Sequence, residues 1–222
     1  MIHALSPLTI LENGDRLDRD EFERRYSASN IKKAELIEGI VHVASPLCFT
    51  QHGEPHSQII GWLVAYQAAT AGLKVGIEPT VRLDQDNEPQ PDAVLFRSGG
   101  NAQIDADGYI TGAPEFIAEI AASTVSYDLH SKKNAYERNG VKEYLVWRTI
   151  DREIDWFVLE NGKYRILEPD AIGIICSQEF IGLWLNVEAI LNHDMSTVIK
   201  TLQSGLQYRS QSLDSGRTAG FK

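Results

Sequence analysis

The chain has 222 residues, 43% of them hydrophobic, enough to bury a real core in one compact domain. No run nears the roughly 18 apolar residues of a membrane helix, and the start, MIHALSPLTILENGDRLDRDE, lacks a basic region followed by an apolar stretch, so a soluble, cytoplasmic protein without a membrane partner is expected. The net charge of −10, from 21 Lys and Arg against 31 Asp and Glu, counts against long-range steering toward nucleic acid while leaving room for a local basic patch.

Asp18 with Glu21 three residues on resembles a capping box, which predicts a short surface helix to Tyr26 within an N-terminal extension, residues 1–29. The runs Glu35-Leu36-Ile37 and Ile40-Val41-His42-Val43 flank Glu38-Gly39 and predict a hairpin. Cys48 and Cys176 are isolated, suggesting neither a zinc site nor a disulfide framework, and are expected in the core. From Pro55 to Ala71 the apolar positions Ile59, Ile60, Leu63, Val64 and Tyr66 predict a helix with Gly72 at its C-terminal cap. Lys74 to Leu83 then reads as a strand, Asp84 to Asn87 as a turn, Pro91 to Phe96 as a strand, and residues 97–113 as a polar, Gly-rich loop.

Glu115–Ala122 (strand), Asp128–Asn139 (amphipathic helix closed by Gly140) and Glu143–Trp147 (strand) predict a crossover with two parallel strands and functional groups at one sheet edge. Asn161-Gly162 between Glu153–Leu159 and Lys163–Leu167 marks a second hairpin. Phe180 to Leu191 predicts a short closing helix, so the main domain is set at 30–192. Residues 193–222, rich in Ser, Gln and Gly, predict a polar, poorly ordered tail. Residues 195–222 carry four cations against one acid, so the charge deficit belongs to the folded body.

Glu119 carries the most information. It lies inside Phe116-Ile117-Ala118-Glu119-Ile120-Ala121-Ala122, a run apolar enough for a central strand, where a carboxylate needs a partner. Asp92, after Pro91 at the start of another strand, would sit beside it if the strands are neighbours; taken alone, Pro-Asp is an ordinary turn signal. Two adjacent carboxylates raise one another's pKa unless a cation holds both ionised, and Mg²⁺ suits one or two carboxylates plus waters and phosphate oxygens. Lys132 lies four residues after Asp128 and four before Tyr136, on one helix face. In isolation that is an ordinary surface pair, and Lys133 is the control.

The order helix, strand, strand, strand, helix, strand, with Pro91-Asp92, Glu119 and Lys132 in sequence, resembles the PD-(D/E)xK nuclease superfamily. More closely it resembles the Uma family of restriction-type endonucleases, widespread in bacteria. The matching stretches are AELIEGIVHVASP at 34–46, EPTVRLDQDNEPQPDAVLF at 78–96 and GAPEFIAEIAASTVSYDLHSKKNAYERNGVKEYLVW at 112–147. The resemblance implies an α/β, restriction-endonuclease-like αβββαβ core: a mixed central sheet flanked by helices, with extra N-terminal and C-terminal hairpins. It departs from the superfamily at Ala121, where the usual motif has its lysine; in the Uma family the lysine sits in the following helix, where Lys132 matches. The resemblance further implies that Asp92, Glu119 and the Ile120 carbonyl hold Mg²⁺ or Mn²⁺ and that Lys132 assists hydrolysis of DNA, the expected substrate. The resemblance also makes Glu35, Glu38 and His56 candidate cleft residues, although the residues by themselves read more readily as a strand-edge, a turn and a helix-end surface group respectively. A homodimer is expected from the need to cut both strands. The acidic body leaves open a retired nuclease fold serving in protein interaction or regulation, and an RNA or structured-DNA substrate is not separable by sequence.

Overall fold

The computed structural model describes residues 10–218, so the first nine residues of the expected N-terminal extension and residues 219–222 of the expected tail lie outside the described ones. Helix α1 (Arg19–Ser27) begins where expected, with the Asp18 carboxylate accepting from the Glu21 amide at 2.9 Å. The reciprocal half of the capping box is not made, because Arg24 and Arg25 take the Glu21 side chain, each at 2.6 Å. Strands β1 (Ala34–Ile37) and β2 (Ile40–Val43) form the expected hairpin, and Glu38 and Gly39 turn it at φ 52° and 72°, the left-handed geometry of a tight hairpin turn.

A π-type turn, Phe49–Gly53, leads into α2 (Glu54–Ala68). The helix stops before Ala71, and Gly72 (φ 80°) serves the turn into β3 (Leu73–Ile77) instead. The strand expected through Leu83 breaks at Glu78, whose φ is 47°, and Pro79; only β4 (Val81–Arg82) resumes, in another sheet. Strand β5 (Ala93–Arg97) follows. The predicted loop contains two short strands, β6 (Gln103–Ile104) and β7 (Ile110–Thr111), which join β4 in a three-stranded ribbon.

Next come β8 (Phe116–Ala121), α3 (Val125–Tyr127), a second π-type turn (Asp128–Lys132) and α4 (Lys133–Asn139), capped by Gly140 at φ 84°. Strands β9 (Glu143–Arg148), β10 (Glu153–Glu160) and β11 (Lys163–Ile166) complete the main sheet, ordered β11-β10-β9-β8-β5-β3, with β8 and β9 parallel and the other neighbours antiparallel. The succession α2, β3, β5, β8, α3–α4, β9 is the expected core order. A hairpin of β12 (Ile174–Cys176) and β13 (Trp184–Asn186) precedes α5 (Val187–Leu191).

Both faces of β8 are covered, so its side chains alternate between two cores. Phe116, Ala118 and Ile120 join Ile59, Trp62, Leu63 and Tyr66 of α2, while Ile117 and Ala121 join Val94, Tyr136, Tyr144 and Val146. The rings of Trp62, Phe116 and Trp156 meet edge to face at 5.6–6.2 Å, the arrangement their quadrupoles favour.

Two further expectations are corrected. Cys48 and Cys176 are exposed, not core residues. Met195–Thr218 forms a helix, α6, in place of a poorly ordered tail: its few apolar residues recur on one face, and Val198 and Leu202 are buried in the main core. The helix approaches the β12–β13 connection so closely that a Cβ on Gly205 would fall on the Gly182 carbonyl and within 2.8 Å of Trp184. Gly205→Ala should therefore destabilise by about 1–3 kcal/mol, the usual cost of overpacking. An unchanged urea midpoint would show that the contact does not set the docking of α6.

On the other side, Arg82 joins α1 to the ribbon through Glu23 at 2.9 Å and Asp105 at 2.6 Å. Beside it Glu88 is buried, and its Oε2 has no hydrogen-bond partner. Burial, reinforced by the Glu23 carboxylate, pushes Glu88 up to about 8 from an ordinary 4.5. The fold thus prefers the neutral acid, and this stabilisation is complete below pH 4.5 and lost as pH rises through 8. Glu88→Gln, which stays neutral, should flatten the decline in melting temperature across that window; a decline equal to that of the parent chain would refute the assignment.

Candidate active site

Strand register brings the two expected carboxylates together. Ala93 pairs with Ala118 in the antiparallel β5–β8 ladder, so the position before β5, Asp92, falls opposite Glu119. The Asp92 side chain closes the ladder by accepting from the Ile120 amide at 2.7 Å through Oδ2. Glu119 shares its face of β8 with Ile117 and Ala121, toward the helix that follows. Both carboxylates are buried, and both line a cleft of about 780 Å³ with Glu35, Ile120 and Lys132.

Lys132 is itself only 4% exposed. Its ammonium lies 2.9 Å from Glu119 Oε1, 2.9 Å from Glu35 Oε1 and 3.8 Å from Asp128 Oδ1. Tyr136, one turn on, donates its hydroxyl to Glu119 Oε1 at 2.8 Å, and the Gln90 amide donates to Glu35 Oε1 at 2.7 Å. The i,i+4 spacing of Asp128, Lys132 and Tyr136 thus puts all three against Glu119 or its cation. Lys133 turns away, its ammonium 3.8 Å from the centroid of the Phe157 ring.

Burial dominates the titration of this group. It raises Glu119 well above the carboxylate range, against the pull of Lys132 and with the push of Asp92, Asp128 and Glu35. It likewise raises Asp128, to about 6, despite Lys132. Burial alone would lower Lys132, but Glu119, Glu35 and Asp128 outweigh it and hold the ammonium charged. Asp92 moves down: burial opposes ionisation, but His52, Lys132 and the Ile120 amide overcome it.

Histidines approach from the other side of Asp92. His52, in the turn before α2, places Nδ1 3.1 Å from the Ile120 carbonyl and Nε2 3.4 Å from Asp92 Oδ1. His56 places Nε2 2.7 Å from the Asp92 carbonyl. Donor atoms of His52, His56, Glu78 and Asp92 all lie within 4.8 Å of one another, a set that could hold a metal ion. Lys33 pairs with Glu78 at 2.9 Å and reaches Asp92 at 3.9 Å.

Among the residues expected at the site, Asp92, Glu119, Ile120, Lys132 and Glu35 line the cleft, and His56 supports Asp92 from behind. Glu38 does not join them: it occupies the hairpin turn, with Arg138 3.9 Å away. His52, Glu78 and Lys33 escaped the sequence reading. The His52-x-x-x-His56 spacing was the available signal, since residues four apart share a helix face.

The mixed sheet, its flanking helices and the rim of carboxylates around a lysine together define a restriction-endonuclease-like fold. Among solved structures the chain is similar to the crystal structure of a "putative nuclease belonging to DUF820" from Anabaena variabilis ATCC 29413, at 16% identity and a TM-score of 0.60, over 78% of this chain and 96% of that one. At that identity the likeness is one of fold. The model of the Uma2 family, described as "Putative restriction endonuclease", matches residues 19–188, and the chain belongs to that family. No curated protein matches it. Among the described residues no helix is long and apolar enough to cross a membrane.

Removing one partner from a buried ion pair typically costs about 3–5 kcal/mol, so Lys132→Ala should destabilise on that order at neutral pH. Lys133→Ala should lose only a cation–π contact of roughly 0.5–1 kcal/mol. Urea titrations compare the two; equal, small effects would deny the ammonium its role in holding the carboxylates.

Proposed function

We propose that this chain hydrolyses phosphodiester bonds of DNA as an endonuclease dependent on Mg²⁺ or Mn²⁺, acting in the cytoplasm. The observation that carries this reading is the convergence of Asp92, Glu119 and Lys132 from separate elements in one cleft, with the ammonium on the glutamate oxygen. Family membership supports it.

The donor set fits a divalent cation. Glu35, Asp92, Glu119 and Asp128 are buried around the Lys132 ammonium, with Lys33 and the His52 imidazole beside Asp92. Proton uptake is the other way to relieve that surplus of negative charge, and the raised Glu119 and Asp128 are poised for it. Asp92 and Glu119 would hold the ion, joined by the Ile120 carbonyl, which keeps a lone pair after accepting from His52. When bound, the ion supplies Lewis acidity toward a phosphoryl oxygen.

Lys132 is held protonated, so it does not take a proton from the attacking water. It acts as a fixed cation that orients Glu119 and offsets charge accumulating on the phosphoryl group. Tyr136 holds the same oxygen from the far side and keeps Glu119 from rotating. Asp92, tied to the Ile120 amide through Oδ2, keeps Oδ1 on the His52 side. Cutting both strands would take two copies, one per strand.

With Mg²⁺ or Mn²⁺ the purified chain should nick supercoiled DNA. Asp92→Ala and Glu119→Ala should abolish nicking, Lys132→Met should slow it by about 10²–10³, and Lys133→Met should leave it unchanged. Nicking that survives the loss of both carboxylates would sink the proposal. Absence of both cleavage and metal binding would favour a nuclease fold retained for protein interaction.

A further inference from the structure

The imidazole side of Asp92 has a chemistry that the hydrolytic reading does not use. A carbonyl oxygen can only accept, so the His52 nitrogen facing the Ile120 carbonyl, Nδ1, carries the hydrogen. In the neutral ring that leaves Nε2 with a lone pair, which an ion would take in place of a proton shared with Asp92 Oδ1 at 3.4 Å. This nitrogen is buried, has no hydrogen-bond partner, and belongs to a residue 8% exposed. The same reasoning applies to His56, whose Nε2–H meets the Asp92 carbonyl and whose Nδ1 keeps its lone pair. Metal-ligating histidines are held in this way, one ring N–H donated to a backbone carbonyl or carboxylate and the other nitrogen free. Four segments supply the set: the π-type turn and α2 give the imidazoles, the β3–β4 break gives Glu78 at a left-handed φ of 47°, and the start of β5 gives Asp92.

We infer that His52, His56, Glu78 and Asp92 form a second cation site, selective for a borderline transition ion such as Zn²⁺ or Co²⁺ over Mg²⁺, in which the Lys33 ammonium is the resident charge. Two imidazoles and two carboxylates suit such ions, whereas Mg²⁺ requires oxygen ligands and keeps its waters. Lys33 lies 2.9 Å from Glu78 and 3.9 Å from Asp92, so it bridges the two carboxylates that an ion would bridge. An entering ion displaces it toward solvent, which its long flexible stem permits. Asp92 is common to this site and to the hydrolytic one. The inference does not rest on DNA cleavage, since ion binding is measured without DNA.

The test is a Co²⁺ titration of the full chain carrying Glu119→Gln, which disables the carboxylate pair expected to hold Mg²⁺, with visible absorption as readout. Co²⁺ should bind with one equivalent and resist excess Mg²⁺. His52→Ala and Glu78→Gln, each added to that background, should weaken binding at least about tenfold, since even outer-shell losses cost about 10–100-fold. Lys33→Met should tighten it several-fold by removing the competing charge. Glu78 is partly exposed, so Glu78→Gln tests the site even if His52→Ala disturbs folding. The inference is overturned if the Glu119→Gln chain binds no Co²⁺, or if binding is indifferent to both His52→Ala and Glu78→Gln. Failure of nicking alongside intact Co²⁺ binding would remove only the hydrolytic reading.

Discussion

An ammonium group withdrawn from water is stable only inside a shell of opposing charge, and at Lys132 that shell is drawn from three parts of the chain. Glu119 comes from the central strand, Glu35 from the N-terminal hairpin, and Asp128 from the same helical segment one turn earlier. None of the three carboxylates would be tolerated so deep without the lysine, nor the lysine without them. The hairpin is thereby held against the sheet edge and the crossover helix against β8, so the contacts that order the site also fix the elements around it.

Backbone irregularity places the remaining groups. The two π-type turns, Phe49–Gly53 and Asp128–Lys132, carry His52 in one case and Asp128 with Lys132 in the other. A π-turn admits one more residue than an α-turn and so re-aims the side chains that follow, which is why such turns are common at functional sites. Glu78 is brought in by a different device, a left-handed residue that ends β3 and sends the chain into a separate ribbon. Each departure from regular structure borders Asp92 or Glu119.

The acidic composition acquires a local meaning from this arrangement. Under the hydrolytic reading proposed above, a polyanionic substrate approaching a net charge of −10 would gain little from long-range attraction. Its recognition would then depend on the cations of the cleft itself: Lys132, Lys33 and any ions that the carboxylates and imidazoles would hold. Asp92 stands at the junction of these, with one oxygen fixed by the Ile120 amide and the other turned toward His52.

Much of this was legible in the residues because local patterns have local causes. The Asn161-Gly162 and Glu38-Gly39 turns, the cap at Asp18, and the crossover from β8 through the helix to β9 follow from positive-φ preference, side-chain capping and apolar periodicity. The acid inside the Phe116–Ala122 run announced a partner, and the i,i+4 spacing of Asp128, Lys132 and Tyr136 marked the helix face that supplies it. The C-terminal segment misled because its polar composition hides a narrow apolar stripe, Val198 and Leu202, that counts only once there is a core to dock on.

By itself, then, the sequence determined the order of elements, the buried acid and the helix face that answers it, since each depends on neighbours within a few residues. Tertiary structure decided the rest: that Asp92 falls opposite Glu119, that Glu35 joins the lysine while Glu38 does not, and that two histidines and Glu78 gather behind Asp92. Those contacts span from 14 positions of chain, Glu78 to Asp92, to 97, Glu35 to Lys132, and strand register and backbone breaks, which leave no periodic trace in composition, are what close such distances.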